Sequence, residues 1–179
     1  FIRHPLTIFA GYLTTFALGM CLLPLLRNPK QNWEGAFALL LHAAIIACVG
    51  YFGGFALAGL VVILPCALAM GLGSYLFYAQ HNFPEVVHTD NAGWTHHGAA
   101  LQSSSFMRMP ACMHWFTANI GYHHIHHLNA KIPFYRLPEV MKAMPELQDP
   151  NTTSLHPREM FRCLRLKVWN CQRGCMETL

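Results

Sequence analysis

The first half of the chain consists of long apolar stretches separated by short polar segments. From Gly35 through Gln80 there is no Asp, Glu, Lys or Arg. One membrane-spanning helix needs about 20 apolar residues, so this stretch is long enough for two helices and a tight turn. Gly53 and Gly54 divide it, and Pro65 is expected to kink the second helix. The pattern predicts a transmembrane hairpin over residues 35–80.

A second apolar stretch, Pro5 to Leu26, lies between Arg3 and Arg27. All twelve Lys and Arg residues lie outside the hairpin, which places both hairpin ends in the cytoplasm by the positive-inside rule. A further span before the hairpin would put Arg3 on the opposite side. We therefore expect residues 1–34 to form an interfacial or re-entrant helix, with a third span as the alternative because Pro5 to Leu26 is long enough to cross.

The polar second half, residues 81–179, is interpreted as a cytoplasmic cap. A final helix is expected to open at Pro157, with Arg158, Arg162 and Arg165 at helical spacing and an apolar stripe at Phe161, Leu164 and Val168. This helix either packs on the cap as a surface helix or attaches to anionic headgroups. The predicted fold class is all-α: one domain, an integral-membrane helical hairpin with an interfacial N-terminal helix and a cytoplasmic helical cap.

Composition and charge support this interpretation. Hydrophobic residues make up 54% of the chain and charged residues 11%, against about a quarter charged in soluble proteins. The net charge of +4 is spread thinly, without the basic and aromatic runs typical of nucleic-acid binding. The seven cysteines lack paired CxxC spacing and are expected to be reduced. Cys171 and Cys175 could share a helix face as a metal or redox pair.

Histidine carries the chemical signal, because nine of the twelve histidines lie between positions 81 and 127. His123, His126 and His127 have i, i+3, i+4 spacing, so on a helix they share one face that can serve two neighbouring metals. His124 is about 100° away and is expected to pack or to support a ligand. Imidazole suits iron, copper, zinc and nickel, so the spacing does not select the metal.

The remaining candidates have weaker signals. Asn119, four residues before His123, could share its helix face and hydrogen-bond a ligand or a metal-bound water, or could cap the helix. His42 lies within the first hairpin helix and is expected to form a hydrogen bond among the helices. The four histidines without recurring spacing are expected to be structural: His88, His96, His97 and His114.

Three segments resemble membrane fatty acid desaturases of the bacterial acyl-lipid type. Residues 103–138, which include Gly-Tyr-His-His-Ile-His-His-Leu at 121–128, resemble the third histidine box of that family. Gln80-His81-Asn82-Phe83 resembles the glutamine and histidine pair at the cytoplasmic end of its last membrane helix. Residues 164–169 resemble its C-terminal segment, so the resemblance extends over nearly the whole chain.

The resemblance implies a set of ligands and a reaction. The HxxHH box maps onto His123, His126 and His127 as iron ligands, and the preceding single histidine maps onto His81. The implied cofactor is a di-iron centre of two non-haem ions, which uses O2 to introduce a double bond into a fatty acyl chain. Electrons would come from a separate ferredoxin-like or cytochrome partner. The implied location is a bacterial inner membrane, with the active site facing the cytoplasm.

The chain departs from the family pattern in one respect that concerns activity. The two earlier histidine boxes of the family are absent from residues 1–179, so we expect a C-terminal fragment that is inactive without them. Related histidine-box hydroxylases or carotenoid oxygenases are alternatives. A membrane metal-binding or transport protein is an alternative from another class, although only His42 is ionisable between Gly35 and Gln80. The last alternative is that the chain has no activity and is a structural or pseudogene product.

Overall fold

The computed structural model describes residues 3–178, and it is mostly helical, with 63% of residues in helices. The chain divides into two compact units, with the boundary between Leu76 and Phe77. We refer to residues 3–76 as the apolar unit and to residues 77–178 as the histidine unit. The last helix of the apolar unit continues into the histidine unit and ends at His81.

The apolar unit consists of helical segments alone within its described residues. They are α1 (Pro5–Phe9), a π-helical segment (Tyr12–Leu22), α2 (Leu23–Arg27), α3 (Trp33–Gly53), α4 (Phe55–Ala58), a second π-helical segment (Gly59–Ile63) and α5 (Leu64–His81). Gly54 separates α3 from α4 with φ at +84°, a conformation that glycine adopts at no steric cost. The second π-helical segment ends at Ile63, two residues before Pro65, which lacks the amide hydrogen that a regular helix needs.

Two helices are long and apolar enough to cross a membrane. They are Trp33–Gly53, with a mean hydropathy of 2.0, and Phe55–His81, with a mean hydropathy of 2.4. Within the most apolar 18 residues of each helix, only 6% and 11%, respectively, are buried. The core helix of a soluble protein would be mostly buried. Such exposed apolar surface suits a lipid environment. The earlier segment, Tyr12–Arg27, forms a shorter apolar helix.

α1 and the first π-helical segment pack closely against α5 where glycine residues leave room for the neighbouring backbone. A Cβ on Gly71 would meet the Phe9 carbonyl oxygen at 2.7 Å, and one on Gly11 would collide with the Met70 backbone. Small residues allow this approach between apolar helices. The hydroxyl of Ser74 also donates to that of Thr15 over 2.8 Å. These contacts place the N-terminal segment on the second long helix.

His42 forms the hydrogen bond predicted for it. Its Nε2 lies 2.5 Å from the Tyr12 hydroxyl, and the Phe16 ring stands edge-on to its imidazole. This bond joins α3 to the first π-helical segment within the apolar unit. The polar side chain of His42 is therefore satisfied by a neighbouring side chain.

The histidine unit contains short helices and short strands. Its elements after α5 are α6 (His96–Gln102), β1 (Phe106–Arg108), α7 (Ala111–Phe116), α8 (His123–Leu128), a 3-10 turn (Phe134–Arg136), α9 (Leu137–Ala143), a second 3-10 turn (Pro145–Leu147), β2 (Thr152–Ser154), α10 (Pro157–Arg165), β3 (Leu166–Asn170) and β4 (Cys175–Thr178). A cluster of Ile125, Leu137 and Leu147 forms a buried core around α8 and α9. That core fixes one face of the histidine-rich helix.

Four short strands make the predicted all-α class approximate, although the chain is mostly helical. β1 pairs with β2 in parallel, with Phe106 opposite Thr152, and β3 pairs with β4 in an antiparallel hairpin. Each strand has only three to five residues. The sequence pattern could not reveal them, because so short a run has no clear alternation and β1 finds its partner more than 40 residues away.

The final helix opens at Pro157 as predicted but ends at Arg165. Val168, predicted on its apolar stripe, instead belongs to β3. The possible Cys171 and Cys175 pair on a helix is also wrong, since these residues flank the turn between β3 and β4. All seven cysteines are free thiols. Burial and the nearby Glu159 raise the pKa of Cys163 to about 11, which keeps it protonated.

Candidate metal centre

Three imidazoles meet at the end of the second long helix. The Nε2 atom of His81 lies 2.9 Å from that of His123 and 3.1 Å from that of His127, and the last two are 3.1 Å apart. Among residues 3–178, these three side chains form the group able to hold a metal ion. We call them the histidine triangle. His123 is buried, His81 is half-buried and His127 is exposed.

Local structure explains how one helix end and one short helix create this triangle. His81 is the last residue of α5, and α8 begins at His123, so His123 and His127 lie one turn apart on the same face. The Gln80 side chain donates to the carbonyl of Ile120 over 2.8 Å, and the Gln80 carbonyl accepts from the Ser105 amide. Gln80 therefore fixes the end of α5 relative to the entry of α8.

The hydrogen bonds of His81 determine its tautomer. Its Nδ1 lies 3.0 Å from the Ser103 carbonyl oxygen, which can only accept, so Nδ1 carries the proton. In the neutral ring Nε2 then presents a lone pair toward the other two imidazoles. Metal-bound histidines usually make this kind of bond through their other nitrogen. His81 is thus prepared to bind a cation.

Electrostatics keeps the buried member of the triangle neutral. Burial, followed by the neighbouring imidazoles of His81 and His127, lowers the pKa of His123 to about 3 from its ordinary value of 6.5. The pKa of His127 is also lowered, mainly by partial desolvation and then by His81. Neutral rings retain the lone pairs that metals bind.

The dimensions of the triangle fit a transition metal. Imidazole nitrogen binds such ions at about 2.1 Å, so two nitrogens at a right angle around an ion lie about 3.0 Å apart. A tetrahedral arrangement would spread them to about 3.4 Å. The observed separations of 2.9 and 3.1 Å are therefore compatible with three imidazole ligands on one transition-metal ion. The buried Nδ1 of His123 has no hydrogen-bond partner within residues 3–178.

His126 and His124 lie outside the triangle. The His126 ring stacks 5.9 Å from that of His123 and lies 6.0 Å from that of His127, measured between centroids. His124 is fully buried beside Phe106, and burial lowers its pKa to about 4, an effect that the nearby backbone of Leu147 opposes. Neither His124 ring nitrogen makes a hydrogen bond of good geometry to a described residue. His124 therefore packs beside Phe106, outside the triangle.

Asn119 does not share the helix face of His123, because α8 begins only at His123. The residue instead has a left-handed backbone, with φ at +55°, in the turn after α7. Its side chain donates to the Phe134 carbonyl over 3.1 Å, and Tyr122 occupies the capping position of α8. Asn119 therefore lies in a turn before α8, and the helix does not extend back to it as predicted.

The other histidines of the histidine unit lie outside the triangle. His88 stands edge-on to Trp169 with ring centroids 4.9 Å apart, and His114 stacks on Phe106. His96 and His97 form the exposed first turn of α6. His96 contributes a small electrostatic effect that lowers the pKa of His127.

Sequence reasoning did not predict the supporting roles that three residues have beside the triangle. Ser103 acts through its backbone carbonyl and Gln80 through its side chain, as described above. Phe77, 67% exposed, stands edge-on to His81 and His123 with centroid distances of 5.3 and 6.4 Å. Its position one turn before His81 on α5 was the available signal. A backbone acceptor such as Ser103 leaves no trace in the amino-acid pattern.

The fold and the site define a protein with membrane-type apolar helices and a histidine group at the end of one of them. Its sequence matches the family described as Fatty acid desaturase over residues 3–158. Fatty acid desaturase of Bacillus subtilis (strain 168) is 34% identical over 133 residues, 74% of this chain and 37% of that protein. The chain therefore belongs to the fatty acid desaturase family and spans about 37% of the length of this curated relative.

Proposed function

We propose that this chain supplies the C-terminal metal ligands of an O2-dependent, di-iron desaturase that introduces a double bond into a fatty acyl chain. The observation that carries the proposal is the histidine triangle, whose Nε2 separations of 2.9 to 3.1 Å suit one iron ion. His126 provides a further imidazole on the same helix for a second ion. Bound iron would supply the oxidising power that removes two hydrogens from adjacent methylene groups.

The protein side chains have separate tasks in this proposal. His81, His123 and His127 bind as neutral imidazoles, and the Ser103 carbonyl holds the His81 proton at Nδ1. Phe77 offers exposed apolar surface beside the triangle, where an acyl chain has to pass. Of the neighbouring aromatic residues on α5, Tyr75 is fully buried, and the Tyr78 hydroxyl donates to the Leu166 carbonyl. Phe77 is therefore the best candidate for contact with the substrate.

The membrane arrangement belongs to the same proposal. Residues 35–80 would cross as a hairpin, residues 1–34 would lie at the interface, and the histidine unit would form a cap in the cytoplasm of a bacterial cell. The absence of acidic and basic residues between Gly35 and Gln80 supports the hairpin. Electrons would come from a separate ferredoxin-like or cytochrome protein. Two further histidine boxes would have to complete the di-iron centre, because four imidazoles are too few for two ions.

The experiment uses the protein produced in a bacterial strain without its own desaturase. Iron per polypeptide and the unsaturated fraction of membrane acyl chains are measured for the wild type, His123→Ala and His126→Ala. The exposed His97 provides the matched control, His97→Ala. We expect both ligand variants to lose iron and unsaturated lipid while still inserting in the membrane, and the control to retain both.

The mass of the acyl product distinguishes a desaturase from a hydroxylase. A double bond lowers the mass of an acyl chain by two hydrogens, whereas a related hydroxylase would add one oxygen atom. Wild-type protein that binds iron and yields only hydroxylated lipid would replace desaturation with hydroxylation. Unchanged iron content in His123→Ala would contradict the metal centre itself. Metal uptake by vesicles, without any change in lipids, would instead favour a transport protein.

A further inference from the structure

Helix α10 has an exposed face on which arginine and an aromatic residue occur together. Phe161 is 62% exposed, and the Arg165 guanidinium carbon lies 5.5 Å from the centre of its ring. Arg158 lies one turn before Phe161 and is also exposed. On the opposite face Cys163 is buried. The helix is therefore strongly amphipathic, but its outer face includes a large apolar ring.

Two side chains from the end of α5 hold the C-terminal end of α10. The Asn82 amide donates to the carbonyls of Cys163 and Leu166 over 2.9 and 3.2 Å, and the Tyr78 hydroxyl donates to the Leu166 carbonyl over 3.0 Å. Carbonyl groups at the end of a helix have no partner within the helix, so these donors fix its position. Arg162 adds an exposed ion pair with Glu85 at 3.5 Å.

This attachment determines the environment of α10. Tyr78 belongs to the last turn of the apolar helix Phe55–His81, and Asn82 follows that helix directly. The end of a membrane-spanning helix lies at the level of the lipid headgroups. An element bonded to residues 78 and 82 is therefore held near that level. Its exposed arginines and phenylalanine are the residue types found in helices that lie in the interface.

The charges of α10 favour an anionic surface. Arg162 is paired with Glu85, and Glu159 accepts a hydrogen bond from the Ser154 hydroxyl. Neither Arg158 nor Arg165 takes part in an ion pair with a carboxylate in the part of the chain that the structure describes. These two guanidinium groups remain available for phosphate, which arginine binds through paired N–H donors.

We propose that α10 binds anionic phospholipid headgroups through Arg158 and Arg165, while the Phe161 ring enters the edge of the acyl layer. This contact would hold the histidine unit against the membrane surface and would add a site for acidic lipid outside the histidine triangle. An acidic protein partner is the competing occupant of such a basic face. The exposed ring and the attachment to a membrane helix favour lipid over that partner.

The test uses the full-length protein in nanodiscs that contain phosphatidylcholine alone or mixed with phosphatidylglycerol. The photoreactive residue p-benzoyl-phenylalanine replaces Phe161, and mass spectrometry identifies its adducts after irradiation. We expect lipid adducts enriched in phosphatidylglycerol over its share in the disc. The double variant Arg158→Gln and Arg165→Gln should reduce this enrichment by about fivefold for each arginine removed.

Two controls make the result specific. The double variant Arg136→Gln and Arg173→Gln removes the same charge from arginines that are already paired with Glu139 and Glu177, and it should leave the enrichment unchanged. Protein adducts to an added acidic ferredoxin, without lipid adducts, would overturn the proposal in favour of a protein partner. Equal labelling of both lipids, insensitive to the arginine variants, would also overturn it.

Discussion

Histidine occurs in both units of this protein, but in opposite situations. His42 in the apolar unit has a hydroxyl partner, Tyr12, at 2.5 Å. His123 in the histidine unit has only the imidazole nitrogens of His81 and His127 near its Nε2, and its buried Nδ1 has no hydrogen-bond partner within residues 3–178. A buried polar group without a partner reduces stability. The first histidine therefore has a hydroxyl partner, whereas the second lies in a group of three imidazoles that could hold a cation.

This contrast shows how a candidate metal-binding histidine differs from a structural one in an apolar protein. Burial alone does not distinguish them, because the pKa of His124 is also lowered to about 4 by burial without any approach to the triangle. Convergence of acceptor atoms does distinguish them. Three Nε2 atoms lie within 3.1 Å of one another, and one ring has its proton fixed on the far nitrogen.

The largest effect is expected from His81→Ala in the full-length protein. Loss of one of the three proposed ligands in the triangle should lower the iron content toward background. His42→Gln, which retains a side chain able to hydrogen-bond Tyr12, should keep the wild-type iron content. Elemental analysis of the purified proteins in detergent measures both. Equal iron in His81→Ala and wild type would remove the distinction drawn between the two histidines.

Lowering the pH should destabilise the histidine unit and leave the stability of the apolar unit unchanged. In metal-free protein the folded His123 has a pKa of about 3, against 6.5 for the free side chain, so the unfolded chain binds more protons between these values. The stability that neutral His123 contributes is thus present above pH 6.5 and is lost as the pH falls toward 3. Hydrogen exchange, corrected for its intrinsic pH dependence, should show protection falling in residues 123–128 but not in residues 33–53. Equal loss in both segments would contradict this assignment.

A smaller effect is expected from Gln80→Ala, because Gln80 orients the triangle without belonging to it. Removal of a residue that orients ligands typically weakens metal binding by about 10 to 100-fold. Competition with a chelator measures the affinity. Gln102→Ala removes the same side chain from an exposed position and serves as the control. An effect no larger than that of the control would exclude Gln80 from positioning His81.

The smallest effect is expected from Tyr12→Phe in the apolar unit. Loss of its hydroxyl removes the partner of His42 and should lower the free energy of unfolding by about 1 kcal/mol. Unfolding in bicelles under steric trapping measures this change, with Phe16→Leu as a variant that keeps the hydrogen bond. Iron binding should not change. A loss of iron in Tyr12→Phe would connect the two histidine environments.

Most of the helical regions could be predicted from the sequence, but their ends could not. Uncharged stretches indicated the two long helices, and Pro157 indicated the start of α10. The end of α10 at Arg165 was missed, since the apolar spacing of Leu164 and Val168 suits both a helix and the strand that follows. The strands β1 and β2 depend on a pairing between distant residues, which no local pattern contains.

For the site, the sequence determined which residue types are available, and the resemblance selected His81, His123, His126 and His127. Helical spacing alone gave His126 and His127 equal standing. Only the tertiary structure placed His127 in the triangle with His81 and left His126 beside it, because the end of α5 approaches one side of α8. Gln80 and the Ser103 carbonyl set that approach. Hydrogen bonds between distant segments fix the distances between nitrogen atoms, and a sequence pattern records only separation along the chain.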